Sequence, residues 1–394
     1  MPTATQAVSG GGMPLGTGGG ADYRLEVVGS DAGFAALAPE WDQLWRSAPR
    51  PSPFLSHTWA WTWWRHFGRG SRLYLLLART QGGELVGIAP LRIAHRRAWG
   101  MWPVRSLEFL GYRGSAVCTD HLDFLLRPDH AGRVLGALMA ELARGGAAWD
   151  IAVLADLAQE SAVPGAEGGT AAETCFFRAL PPHAVELWAQ LKREHPKLHS
   201  NLRYYRQRLE RERGLRVVAP VPPEELEPTL EALARLHALA HARKGESGNF
   251  GRPEYRSFHQ DLVRALTGGD ELYLARLDCD GQAAAVLYGF VAGGTLYFYQ
   301  SGFDPGLSTY GVGTLLLAVV MEDAIARLGL REFDFLRGGE SYKTRWSTGA
   351  RQTRTLRLWR PTAAARLSRW QLGAQVQLMP AKVWLRRRLR RQTA

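Results

Sequence analysis

A dense cluster of polar and aromatic side chains lies in the run FDFLRGGESYKTRWST (Phe333–Thr348): Arg337, Glu340, Tyr342, Lys343, Arg345 and Trp346. Moving a group onto an amine or hydroxyl requires a base that removes the acceptor's proton. It also requires a donor that stabilises the oxyanion and the departing group. Glu340 follows a strand pattern and the Gly338-Gly339 pair, which makes it the first candidate base. An ion pair with Lys343 or Arg345 is the competing use of the same carboxylate. Tyr342 is the candidate acid for the departing group, or else an ordinary half-buried aromatic. Lys343, Arg345 and Arg337 suit an acidic substrate or a phosphate, and Trp346 suits packing. Asp334 alternates with Phe333 and Phe335, so it points to the opposite face, towards a cleft. His241, at the end of a helical pattern, is a second candidate base. His237 lies one turn before it on the same face, so one of the two can belong to the core.

The residues upstream of this cluster suggest what the donor carries. The strand-like run YFYQSGF (Tyr297–Phe303) leads through Ser308-Thr309-Tyr310-Gly311-Val312-Gly313 into the apolar helical pattern 314–328. A strand that passes through glycines into a helix presents bare backbone N–H groups and the positive end of the helix dipole to an anion. The candidate donor-binding residues are Tyr299, Gln300, Ser301, Tyr310, Gly311, Val312, Gly313 and Thr314. The plainer reading is a helix start that needs small residues for packing. Asp304, in GFDP, is a turn former. The sequence has no Ser-His-Asp order, dinucleotide fingerprint or metal-type cluster. The three cysteines, Cys118, Cys175 and Cys279, are far apart and outside the polar cluster. They imply neither a disulfide framework nor a covalent cysteine intermediate, and they suit a reducing, cytoplasmic setting.

These residues need a frame to hold them. The first part of the chain reads as a strand (23–28), a helix from Asp31 through Trp45, and a tryptophan-rich helix (56–67). Strands at 72–79 and 84–93 follow, joined at Gln81-Gly82-Gly83, then strands at 106–110 and 121–126. A helix from Asp129 to about Arg144 and a short buried strand (150–154) complete it. After a Gly/Ala/Glu-rich linker (161–174) come helical patterns at 181–213, 224–242 and 255–266. Three strands follow (271–278, 282–291, 295–303) with turns at Asp280-Gly281 and Gly293-Gly294, then the helix 314–328 and strands at 332–336 and 353–359. The order of elements is similar in the two halves. We therefore expect a disordered leader (1–21), an N-terminal α/β unit (22–175), a C-terminal α/β unit carrying the donor site (176–362) and a basic amphipathic tail (363–394).

The net charge of +12 is local. Residues 192–216 carry nine Lys/Arg against three Glu, and residues 361–394 carry eight Lys/Arg and no acid. Such patches suit phosphates, an acyl-carrier protein, RNA or an anionic membrane, or are simply solvated helix faces. The longest apolar run, Val312–Met321, is too short to span a bilayer. Trp59, Trp61, Trp63, Trp64, Trp99 and Trp102 suggest aromatic surface as well as core.

Four segments, PFLSHTWAWTWWRHF (Pro53–Phe67), HSNLRYYRQRLER (His199–Arg211), GNFGRPEYRSFHQDLVRAL (Gly248–Leu266) and FDFLRGGESYKTRWSTG (Phe333–Gly349), together resemble the GNAT acyltransferase superfamily. More narrowly, they resemble the double-GNAT acetyltransferases of CelD/BcsL type, relatives of the FemAB transferases. The resemblance implies tandem GNAT-like domains, each a mixed, mainly antiparallel sheet flanked by helices. It also implies transfer of an acyl group from acyl-CoA or acetyl-CoA to an amine or hydroxyl, with no metal, by direct attack on the thioester. In that reading Tyr342 protonates the leaving thiolate. The superfamily's phosphate loop begins with Gln or Arg where this chain has Ser308, which leaves an acyl-carrier protein open as donor. The acceptor, a small molecule, saccharide or lipid-like amine of envelope or polysaccharide biosynthesis, would lie between the halves. Attachment to the inner face of an anionic membrane is a further expectation, from the tryptophans and the basic tail. The rival readings are a FemAB-like transferase using aminoacyl-tRNA bound at 199–216, and a non-catalytic binding module.

Overall fold

The computed structural model describes residues 22–112, 117–144, 149–164, 173–242 and 248–374. The expected leader (1–21) and the end of the tail (375–394) lie outside these residues. The first half runs β1 (Tyr23–Val28), α1 (Asp31–Ala36), α2 (Ala38–Ser47), α3 (His57–Phe67), β2 (Ser71–Thr80), β3 (Leu85–Ala98), β4 (Trp102–Phe109), β5 (Leu125–Leu126), α4 (Ala131–Arg144) and β6 (Ile151–Leu157). The second half opens with β7 (Thr174–Ala179), α5 (Ala184–Glu194), α6 (Pro196–Arg213), β8 (Arg216–Val218), α7 (Leu226–Ala242) and α8 (Pro253–Leu266). It closes with β9 (Leu272–Cys279), β10 (Gln282–Ala292), β11 (Thr295–Phe303), α9 (Val312–Ala326), β12 (Glu332–Arg337), α10 (Ser341–Trp346), β13 (Gly349–Gln352) and β14 (Arg354–Trp359).

Local chemistry explains most boundaries. Ser30 and Ser56 cap α1 and α3 by accepting from the amides of Gly33 and Trp59, satisfying donors that a helix start leaves open. Asp31, where the sequence places the helix start, sits in the first turn, and its charge complements the dipole there. Pro196 starts α6 and so divides the helical run 181–213 in two. Asp280-Gly281 and Gly293-Gly294 all have positive φ, as two-residue hairpin turns require. The helix α9 is apolar on every side because it is sandwiched: Val312, Leu315, Leu316, Val320 and Met321 are all buried in the core of the second half.

The strands form two sheets, β1-β2-β3-β4-β6-β14 with β5 on β3, and β13-β7-β12-β11-β10-β9-β8. Each sheet has one parallel pair inside an otherwise antiparallel ladder, β4–β6 in the first and β11–β12 in the second. The expected fold class is correct: two mixed, mainly antiparallel sheets flanked by helices, in tandem.

The division of the strands is not as expected. The strand expected at 353–359 in the second half is β14, and it pairs with β6 of the first sheet. In return, β7, which lies across the expected boundary at residue 175, pairs with β12 and β13 of the second sheet. The halves thus exchange one strand each, which covers both sheet edges that a clean division would leave open. One continuous apolar core also runs between them. Trp59 on α3 lies edge-on to Phe258 on α8 and to Phe290 and Tyr299 on the second sheet, at 5.3, 5.4 and 5.5 Å. The tryptophan-rich helix is therefore mostly core: Trp59 and Trp63 are 2% and 1% exposed, while Trp61 and Trp64 are half-buried.

Candidate active site

Two cavities flank the second sheet where β11 and β12 part. The strands are paired only from Thr295–Tyr297 to Glu332–Asp334. Beyond Tyr297 and Asp334 the ladder stops, and a fork opens towards the C-terminal ends of both strands.

On the α9 side of the fork lies a cavity of about 240 Å3, lined by Phe298, Ser301, Ser308, Gly311, Gly313, Thr314, Tyr342 and Trp346 among others. Gly311 has φ +62, and a Cβ on it would come within 2.3 Å of the Tyr205 ring, so only glycine fits. Val312, Gly313 and Thr314 are the first three residues of α9, whose leading N–H groups have no partner within the helix. Of the expected donor-binding residues, Ser301, Gly311, Val312, Gly313 and Thr314 line this cavity. Tyr299 does not: it is buried in the core between the halves, packed on Trp59, Tyr288 and Phe290. Gln300 donates to the Tyr255 hydroxyl at 3.4 Å. Tyr310 packs beneath the Arg208 guanidinium at 4.0 Å and donates to Glu212. Tyr299 is misassigned because residues on a strand alternate between faces, and Phe298, not its neighbour, faces α9.

The short helix α10 brings Tyr342 to the cavity, and three contacts fix it. Lys343 is buried and donates its Nζ to the Arg337 carbonyl at 2.5 Å, while pairing with Glu340 at 3.1 Å. Trp346 is buried, and its carbonyl accepts from the wholly buried Arg178 of β7 at 3.0 Å. Burial, with a smaller contribution from the charge of Glu340, holds the Tyr342 phenol well above its ordinary value, so it stays a proton donor across the physiological range. Glu340 is exposed and lines neither cavity. Its carboxylate takes the ion pair that was the alternative to the role of base. Lys343 is a structural lock, and Arg345 is exposed. His241 stacks on His237 with ring centres 4.3 Å apart and also lines neither cavity.

On the opposite face, between the halves, a cavity of about 200 Å3 is lined by Arg50, Leu55, His121, Asp123, Phe124, Leu125, Glu160, Tyr297, Asp334 and Arg351 among others. Asp334 lies here, on the face away from Phe333 and Phe335. Its carboxylate accepts from His121 Nε2 at 3.0 Å and from the Leu336 amide at 2.7 Å, with Arg351 Nη1 at 3.4 Å. Burial opposes protonation of His121, but the charge of Asp334 and its hydrogen bond outweigh this and hold the imidazole above its ordinary value. Burial likewise opposes ionisation of Asp334, and His121 more than compensates, so its carboxyl lies below the ordinary value. Both shifts favour an imidazolium–carboxylate pair. Arg337 is committed elsewhere: its backbone N–H donates to Asp120 at 3.1 Å, and its side chain pairs with Asp120 and, at 3.1 Å, with Asp156. It is therefore a staple between halves and not a substrate ligand. His121, Asp156 and Leu336 have φ of +52, +58 and +57, strain that the surrounding contacts hold in place. Among the described residues, no group of three His, Cys, Asp or Glu could hold a metal.

Residues 196–344 match the family model described as an acetyltransferase (GNAT) domain. This segment is therefore similar to GNAT acetyltransferase domains. It contains the fork, α9 and the start of α10, and so every residue named in the wall of the α9-side cavity except Trp346. A crystal structure of FemX aligns with a TM-score of 0.54 at 12% identity, covering 80% of this chain and 95% of that one. A conserved protein of unknown function from Bacteroides thetaiotaomicron aligns at 0.50 and 10% identity, covering 85% and 100%. At these identities the likeness is one of fold, over both halves of the chain. A search of curated proteins found no match.

Sequence reasoning missed His121, Asp120, Asp156 and Arg351. The available signal was the run Thr119-Asp-His-Leu-Asp123, unusually polar for a segment flanked by apolar residues. Asp123 also lines the cavity between halves. Burial pushes its carboxyl up to about 6, against hydrogen bonds from Ser161 Oγ and the Phe124 amide. A raised carboxyl destabilises the fold once it must ionise. The cost is absent below the unfolded value near 4 and complete above about 6. Both donors bond Oδ1, which asparagine keeps. Asp123→Asn is therefore expected to stabilise the protein by about 1–3 kcal/mol at pH 8 and by nothing near pH 4. Denaturant melts at the two pH values measure this.

Proposed function

We propose that the protein transfers an acyl group from acyl-CoA to an amine or hydroxyl. The CoA phosphates would lie at the first turn of α9 and the thioester in the fork between β11 and β12. The observation that carries this reading is the pair of cavities meeting that fork from opposite faces, one with an anion-binding helix start and the other with a buried His–Asp pair. The acceptor, entering between the halves, attacks the thioester carbonyl. His121, oriented by Asp334 through Nε2, takes the acceptor's proton on Nδ1. The C–S bond breaks, and Tyr342 donates its proton to the thiolate. Solvent exchange then returns the proton from His121 to Tyr342.

An envelope acceptor, saccharide or lipid-like amine, and the narrower CelD/BcsL relationship both belong to this proposal. An RNA-bound donor is less well supported, because the arginines of α6 are largely engaged: Arg206 with Glu210, Arg208 with Glu212 and Tyr310, Arg213 with Asp280.

Isothermal titration with CoA, acetyl-CoA and longer acyl-CoAs tests the reading. We expect saturable binding that Gly313→Asp weakens by about tenfold or more, since a carboxylate there suits the helix dipole but repels a pyrophosphate. Absence of binding by the unaltered protein to any free acyl-CoA would refute the CoA reading and favour a carrier-protein donor. Binding without thioester consumption would leave a binding module.

A further inference from the structure

Large apolar side chains are exposed at one place in particular. The β3–β4 hairpin turns through Trp99, Gly100 and Met101, with Ala98 paired to Trp102. Trp99, Met101 and Trp102 are 46%, 67% and 52% exposed. The helix at residues 363–374 brings Trp370, 70% exposed, to within 5.8 Å of the Trp99 ring. Gln371 Oε1 accepts from the Trp99 amide at 2.8 Å, so the hairpin tip and the tail helix are joined into one surface. Neither hydrophobic burial nor turn geometry explains these residues. Trp99 has φ +52, a conformation for which glycine or asparagine is the undemanding choice, yet the position holds the bulkiest side chain of all.

The surrounding charge has one sign. Arg97, Arg366 and Arg369 are exposed beside the tryptophans. The nearest acid along the hairpin, Glu108, is buried and paired with Arg92 and Arg96. The sequence from 361 to the end contains no acidic residue at all. Tryptophan prefers the boundary between lipid headgroups and chains, with its ring in the apolar layer and its N–H at the polar one. Arginines around such rings meet lipid phosphates. Among the described residues no helix is long and apolar enough to cross a membrane, so this would be attachment to a surface.

We infer that the surface formed by Trp99, Met101, Trp102 and Trp370, with Arg97, Arg366 and Arg369, docks the protein on an anionic lipid bilayer. Both chemistries fit one occupant: exposed indoles fit the headgroup boundary, and exposed guanidinium groups fit its phosphates. The inference is independent of the donor assignment, because none of these residues lines either cavity.

The test is co-sedimentation of the full chain with vesicles of phosphatidylcholine alone and of equal parts phosphatidylcholine and phosphatidylglycerol, with tryptophan emission recorded. Binding to the anionic vesicles only, lost at high salt and accompanied by a blue shift, is expected. The combined variant Trp99→Asn, Met101→Ser, Trp102→Thr, Trp370→Gln should bind on the order of tenfold or more weakly, and so should Arg366→Glu with Arg369→Glu. Both variants alter exposed side chains and should melt as the parent does. Three results would overturn the inference. The first is no binding to anionic vesicles. The second is parental binding by the four-residue variant, which would give the attachment to the terminal arginines alone. The third is a concentration-dependent dimer abolished by that variant, which would make the surface a contact between copies.

Discussion

Arg337→Ala is expected to cost about 3–5 kcal/mol of folding stability, the largest loss we anticipate from any single side chain here. Two carboxylates depend on this guanidinium. Asp120 is 1% exposed in its side chain and Asp156 8%, and both bond to Arg337 from the first half of the molecule. Removing the cation leaves two buried anions facing each other across the junction, whereas removing a whole charge set by isosteric replacement is far milder. The triple variant Arg337→Met, Asp120→Asn, Asp156→Asn should therefore recover much of what Arg337→Ala loses. Chemical denaturation of the two variants gives the answer. Equal and small losses in both would mean that water reaches the junction and that the staple carries little energy.

The hairpins of the second half were legible because their turn chemistry is local: Asp280-Gly281 and Gly293-Gly294 prefer positive φ wherever they occur. The glycine turn at the start of α9 was legible for a similar reason, since Gly311 and Gly313 stand at the head of an apolar helix. Asp334 could be assigned to a cleft face by alternation alone. The exchange of β7 and β14 was not legible. A short strand pattern states that a segment will pair, but not with which sheet, and here the choice depends on edges set by residues far away in sequence.

The junction between halves is the clearest case of what sequence withholds. His121 and Asp334 are separated by 213 positions, and Asp120 and Arg337 by 217. Each looks ordinary alone; only the fold makes them a pair. Glu340 shows the converse. Its position after two glycines resembles that of a base, yet Lys343, one helical turn on, takes its charge. Gly338 is needed there with φ +132, because a Cβ would come within 2.2 Å of the Glu340 carboxylate and 2.7 Å of the Lys343 ammonium. The glycines thus serve the lock on α10 and not a catalytic Glu340.

His121→Gln is expected to lower the rate of acyl transfer by about 10^2–10^4-fold, the usual contribution of a positioned base. Binding of acyl-CoA, measured by titration, should stay within about threefold, since His121 lines the opposite cavity from the α9 turn. The pH dependence follows from the sign of the shift. Asp334 holds the imidazole above its ordinary value of 6.5, and a base works only when deprotonated, so the parental rate should rise with pH through a midpoint above that value. In Asp334→Asn the carboxylate is gone while burial remains, so the midpoint should move to lower pH as the maximal rate falls through loss of orientation. Stability moves the opposite way. A raised imidazole stabilises the fold fully below the unfolded value and loses that contribution as pH rises through the folded one. The parent's advantage over His121→Gln should thus be greatest in mild acid and shrink in alkali. A purely structural His121 would give this stability trend without any displacement of the rate profile in Asp334→Asn. An unchanged midpoint there would therefore assign the pair to packing.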